Sequence, residues 1–284
     1  MSGIAESREL ADTVPPSVGA RRRTRPWALV VGSAMTAMFV LVGIGADLLA
    51  PFSPFSLAGP PLQPPGLAHP LGTDGLGRDL LSGVIHGTRT SLQVAAGAAV
   101  LVLVLGLLVG AVSGYVGGRG DDLLMRGTEF VQVLPRFFLA LVVIALFGAG
   151  LDRLILVLGL TSWPLLARVV RAEVLALKER EFVAAARADG ATGPQIVVRE
   201  LLPSVLPVSV VYVGLVVAQV LLVEASLGFL GLGDPNRISL GFLASQAQQY
   251  LRVAWWLSVF PGSAIVLIVL GLNLLADGVR ERHR

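Results

Sequence analysis

The chain has 284 residues, 54% of them hydrophobic and 14% charged, a net charge of +3, no cysteine and a mean hydropathy of +0.77. Soluble domains carry about 25% charged residues, so a single water-facing globule is excluded in favour of a chain solvated by lipid. Without cysteine there is no disulfide framework or thiolate metal site, and the basic residues flank apolar runs instead of forming the dense stripe of a nucleic-acid binder.

In chain order, residues 1–26 read as a disordered basic tail around Arg21-Arg22-Arg23. The apolar run that follows is about 20 residues, longer than the roughly 7–15 of a cleavable signal, so it reads as an uncleaved first transmembrane helix over 27–50. An outer loop follows over 51–89. In it Leu76, Leu80, Leu81, Val84 and Ile85 share one helical face and Arg78, Asp79 and Ser82 the other, which predicts an amphipathic interfacial helix. Residues 90–277 then hold five more spans of about 20 residues. These are Thr90–Gly118, Phe130–Leu151 (interrupted by Arg136), Leu154–Leu175 (with Arg168 and Arg171 in its last third), Leu201–Val223 and Val253–Ala276. A polar turn at Gly148–Asp152 joins the third and fourth. Residues 278–284 form a short tail.

Six spans put both termini on one side. With that side taken as cytoplasmic, the inner segments hold 16 of the 22 Lys and Arg residues and the outer ones 5, leaving Arg136 near the inner end of its helix. This is the positive-inside pattern. The expected fold is therefore all-α, with six transmembrane helices, N-in and C-in.

Several chemistries lack their residues. A phosphate-cradling loop needs Lys after a Gly-rich stretch, but the one lysine, Lys178, stands between Leu177 and Glu179. Ion-coupled carriers place ionisable groups deep in their helices; here Asp47, Arg136, Asp152 and Glu224 lie toward helix ends. His69, His86 and His283 show neither metal-ligand spacing nor a nucleophile partner. No catalytic site, metal site or cofactor is expected in this chain, and any uphill transport draws its energy from a partner.

One inner loop, at about 176–200, suits such a partner. Glu181, Phe182, Ala184, Ala185, Ala186, Arg187 and Asp189 lie in a stretch of good to moderate helix formers. Gly190 stands where the helix end needs positive φ, and Pro194 permits a new start. Small residues let another surface approach, and Phe182 is a large anchor of the sort that dominates contact energy. A plain solvated linker is the alternative.

The loop resembles the Glu-Ala-Ala, three residues, Gly, nine residues, Ile, one residue, Leu-Pro pattern of binding-protein-dependent ABC importers. Ala185, Ala186, Gly190, Leu202 and Pro203 match; Ala184 and Glu200 replace the usual Glu and Ile. The resemblance implies a type I importer permease fold and a coupling helix seated in an ATPase subunit.

Two outer motifs are similar to those of dipeptide, oligopeptide and nickel permeases. The first holds Gly72, Thr73, Asp74, Gly77, Arg78, Asp79 and Arg89, with Gly83 in place of a usual Arg. It reads as an elbow orienting the next span or as a contact for a substrate-delivering protein. The second, Glu224 to Gly233 with Gly231 inside it, lies at the outer end of the fifth helix. So many glycines there suggest a bend. Glu224 reads as a pore-mouth group or as an acceptor for nearby backbone N–H groups. A first helix followed by a short outer loop resembles the C-type partner of these heterodimers. The family implies a homologous second permease, two ATP-binding subunits that hold ATP and Mg, and an extracytoplasmic substrate-binding protein, all at the bacterial inner membrane. Peptides are the expected cargo; nickel, another small solute, or a non-transporting scaffold are the alternatives.

Overall fold

A computed structural model describes residues 26–282. The basic tail expected over 1–26 lies outside the described residues but for Pro26, as do His283 and Arg284. The described residues contain no strand, only the isolated bridges Leu57–Arg78 and Thr73–Asp79. The helices are α1 (Pro26–Ile44), α2 (Ala46–Leu49), α3 (Leu80–Val116), α4 (Gly118–Val133), α5 (Arg136–Phe147), α6 (Leu151–Leu177), α7 (Glu181–Ala188), α8 (Gly193–Ile196), α9 (Leu202–Phe229), α10 (Leu240–Ala247) and α11 (Trp256–Arg282).

Among the described residues five helical stretches are long and apolar enough to cross a membrane. The bent pair α4–α5 makes a sixth if counted as one span. The pair does run from end to end. Asp121, near the start of α4, bonds Arg171 close to the end of α6, whereas α5 stops at Phe147, just before the start of α6. The third span, expected as one run over Phe130–Leu151, is thus two helices meeting at 74°. Pro135 explains the break: it lacks an N–H, and its ring holds Leu134 in extended backbone (φ −67°, ψ 122°).

Other boundaries also differ from the sequence reading. The first helix, expected over 27–50, ends at Ile44, and Gly45 separates it from the short α2. The separate interfacial helix is absent: Leu76 lies in an irregular loop, and Leu80 to Ile85 are the first turns of the 37-residue α3. At about 1.5 Å per residue, α3 is roughly 55 Å long and spans the molecule from end to end. Asp79 and Ser82, expected on a polar face, are instead buried. The fifth span continues to Phe229, because Glu224 through Phe229 remain helical. The sixth starts at Trp256 and runs to Arg282, so most of the expected tail is helix.

The helices pack through small residues, as expected where lipid gives no hydrophobic drive for association. On α3, Gly106, Gly110 and Gly114 recur every four residues, and a Cβ at Gly110 would lie 2.5 Å from the Ala167 carbonyl oxygen of α6. The first and last helices meet the same way: a Cβ at Gly32 would lie 2.3 Å from the Leu275 nitrogen, and one at Gly278 2.6 Å from Leu29 Cα. Both described termini therefore sit together, at the end of the bundle that carries α7.

Candidate functional sites at the two ends of the bundle

At the α7 end, the chain turns through Lys178–Arg180 into the eight-residue α7. Val183 is fully buried and joins the main core, while Phe182 is 39% exposed and Glu181, Ala184, Ala185, Arg187 and Asp189 face outward, with Ala186 half-buried. Gly190 has φ +85°. Its N–H donates to the Arg187 carbonyl (3.1 Å), and the Ala191 N–H donates to the Ala186 carbonyl (3.0 Å). These two bonds form a Schellman closure, which needs a left-handed residue at Gly190. Nothing lies within 4 Å of where a Gly190 Cβ would stand. A new helix starts at once, with the Thr192 N–H donating to Gln195 Oε1 (2.8 Å). Leu202 and Pro203 follow a π-helical turn, Val197–Leu201. Proline at 203 cannot donate, so the widened turn falls where the helix ladder is already interrupted.

At the same end of the bundle, near the close of α6, lies a clamp that the sequence did not single out. Arg171 Nε and Nη2 of α6 donate to the two carboxylate oxygens of Asp121 at 2.6 and 2.5 Å, and the Ser113 hydroxyl of α3 also donates to Asp121. Lys178 Nζ donates to the Gly114 carbonyl (3.2 Å). Three helices are thus pinned where α7 leaves the bundle. In the sequence, Arg171 is one of many inner basic residues; its partner lies 50 positions away and carries no local signature.

At the opposite end, residues 72–79 fold into a tight knot ahead of α3. The buried Thr73 hydroxyl donates to the Pro60 carbonyl (2.6 Å) and accepts from the Gln63 N–H (2.8 Å), and Trp256 Nε1 donates to the Thr73 carbonyl (3.2 Å). Asp74 Oδ1 accepts from the N–H groups of Leu76 and Arg78, both at 2.8 Å. Gly72 and Gly77 both have φ +83°, and a Cβ at Gly77 would lie 2.2 Å from the Gly59 carbonyl oxygen. Asp79 caps α3: its Oδ2 accepts from the Ser82 N–H and hydroxyl (2.8 and 2.7 Å), and its Oδ1 pairs with His69 Nδ1 (3.0 Å). The Arg78 guanidinium lies 5.3 Å from the Phe55 ring centroid. Arg89 stands apart, donating to Asp47 Oδ2 at 2.7 Å, and that guanidinium holds the exposed Asp47 carboxyl below its ordinary value. Gly83 lets Leu243 of α10 close on α3.

Glu224 is buried, 2% exposed, and accepts from the Ser91 hydroxyl of α3 at 2.8 Å. Its partner is a side chain, not the backbone N–H expected for a structural acceptor. Gly231 (φ +78°) ends α9 with the same closure seen at Gly190: its N–H donates to the Gly228 carbonyl (3.0 Å) and the Leu232 N–H to the Leu227 carbonyl (2.9 Å). A Cβ at Gly233 would sit an ordinary 3.6 Å from Gly228 Cα. Among the described residues no group of three or more His, Cys, Asp or Glu is placed to hold a metal.

Residues 105–283, which include α7 and the clamp, match the binding-protein-dependent transport system inner membrane component family. The chain belongs to this family. A putative peptide permease of Brucella suis biovar 1 is 35% identical over 283 residues, covering 96% of this chain and 94% of the relative. A putative peptide transport system permease of the same organism is 36% identical over 269 residues, covering 94% and 90%. The dipeptide transport system permease DppC of Alkalihalophilus pseudofirmus is 34% identical over 255 residues, covering 89% and 84%. This family member is accordingly a multi-pass, all-α protein of the inner membrane and a membrane component of a transport system.

Proposed function

We propose that this permease forms one half of the membrane pathway of an ATP-driven importer for peptides, moved by partner ATPases through α7. The observation that carries the reading is the construction of α7. Val183 anchors it and the Gly190 closure fixes its end, while Phe182, Ala184 and Ala185 stay open to a partner. The clamp through Asp121 and Arg171 ties α4 to α6 at the same end of the bundle. A homologous second permease, two ATP-binding subunits holding ATP and Mg, and an extracytoplasmic substrate-binding protein complete the system. The α7 end faces the cytoplasm, as its basic residues require. Peptide cargo is supported by the names of the relatives.

The deciding variant is Gly190→Val. A β-branched residue in a left-handed backbone costs about 1–2 kcal/mol locally, and the Cβ itself meets open space. Membrane insertion should remain normal while uptake and its coupling to ATP hydrolysis collapse; unchanged coupling rules out the role of α7. Uptake of labelled dipeptides and oligopeptides against nickel tests the cargo, and nickel uptake alone replaces peptide in this reading.

A further inference from the structure

A cleft of about 480 Å³ opens between α1, α3, α9 and α11, and nothing in the transport reading uses it. Its polarity runs along the helix axes. Toward its inner end the walls are Phe39, Val217, Ile268 and Leu272, with the buried, unpartnered hydroxyl of Thr36 as the one polar group among them; at its outer end stand Arg89 and Gln93, one turn apart on α3. The outer end lies at the membrane boundary: a Cβ at Gly43 would be 3.4 Å from Arg89 Cα, and the apolar run of α1 ends at Ile44. Arg237 reaches the same end, donating from Nη1 to Gln93 Oε1 at 3.2 Å. A guanidinium carries five N–H groups. Arg89 directs one to Asp47 and Arg237 one to Gln93, which leaves donors on both for an anion.

A peptide in this cleft would leave its amide groups unpaired against the apolar wall, at a cost of roughly 1–3 kcal/mol each. An amphiphile with an anionic head and an apolar tail matches both ends, and in an inner-membrane protein that amphiphile is a lipid. We infer that the cleft binds one anionic phospholipid, its phosphate at Arg89 and Arg237 and one acyl chain against Phe39, Val217 and Ile268. The phosphate would take charge-assisted bonds from the guanidiniums, and the juxtamembrane basic pair favours anionic over zwitterionic headgroups.

The intact chain in nanodiscs of phosphatidylglycerol and phosphatidylethanolamine, released and weighed by native mass spectrometry, tests this. One phosphatidylglycerol per chain should survive stripping of the remaining lipid. Ala96→Trp and Val40→Trp fill the cleft from opposite walls, both at exposed positions, and each should abolish retention. Arg89→Gln should weaken phosphatidylglycerol retention about fivefold, while Asp47→Asn, which leaves Arg89 in place, should keep it. Retention unchanged in both tryptophan variants, or in Arg89→Gln, overturns the site. So does efficient crosslinking of Ala96→Cys, in this chain without native cysteine, to a helix of a second permease.

Discussion

The knot ahead of α3 and the helix α7 sit at opposite ends of the bundle, and each carries a glycine-bearing motif singled out in the sequence. In the knot, Thr73, Asp74 and Asp79 are buried and their side-chain oxygens are bonded within the chain. Gly77 stands where any side chain would strike the Gly59 carbonyl. In α7 only Val183 is buried among eight residues, and Gly190 has empty space around it. The same kind of sequence signal, a glycine-bearing motif, thus marks two different things. At the knot it fixes a shape from within; at α7 it fixes the end of a helix whose outer surface is exposed.

Variants that treat the two ends alike should therefore give opposite results. The largest effect is expected from Gly77→Ala, which combines a left-handed φ with a collision at 2.2 Å. It should destabilise the chain by on the order of 3 kcal/mol, read as a lowered melting temperature and poor yield. A variant of wild-type stability would show that the knot is loose and that its motif serves a contact. The counterpart at the other end is Phe182→Ala. Stability should move by less than about 0.5 kcal/mol, yet affinity for the ATPase subunits should fall by about 2 kcal/mol, roughly 30-fold. Unchanged binding in a pull-down titration would remove Phe182 from the interface.

The contrast also shows what the sequence could carry. Apolar runs and charge placement gave the spans, because lipid imposes length and charge rules on each segment separately. Gly190 was legible because a helix end is a local event, decided within five residues. Proline at 135 also acts locally, but Val133-Leu134 before it and the apolar run from Phe137 onward hid the break. Leu76 to Ile85 fits a helical period, so the sequence predicts a separate amphipathic helix that reaches into the knot. What overrides the period is Asp74, which accepts two N–H groups from the loop, and Asp79, which caps α3 and so sets its first residue at Leu80. The clamp was not legible at all. Its members, Ser113, Asp121 and Arg171, come from three helices, and their meeting depends on how α3 and α6 pack.

That clamp supplies an intermediate case between rigid knot and open helix. Asp121→Asn removes the charge that Arg171 engages with two bonds. Breaking a buried pair costs about 3–5 kcal/mol; Arg171 is 34% exposed, and solvent lowers the expectation to roughly 1–2 kcal/mol. If the clamp stiffens the base of α7, ATP hydrolysed per solute moved should rise in the variant. Exchanging the charges, Asp121→Arg with Arg171→Asp, should recover part of the stability. A stability loss without any change in that ratio would make the clamp a fastening of the bundle alone.

The smallest effect belongs to an exposed pair at the knot's end of the bundle, Asp47 with Arg89. Arg89 bonds the carboxylate and holds it below its ordinary value, so the folded state binds the proton less well than the unfolded chain does. Stability from the pair is then present above the unfolded value of about 3.9 and fades as pH falls through the lowered folded value. The melting temperatures of wild type and Asp47→Asn should differ by a small amount near pH 7, and the charge that nearby His86 gains in mild acid, which also acts on Asp47, adds to the gap. That gap should close as the medium is acidified below the ordinary aspartate range. Salt should narrow it as well, since exposed charges are screened over about 8–10 Å at physiological strength. A gap that ignores salt and persists in acid would mean that Asp47 acts through packing and not through its charge. The outer loop would then be tied to α3 more firmly than an exposed ion pair allows.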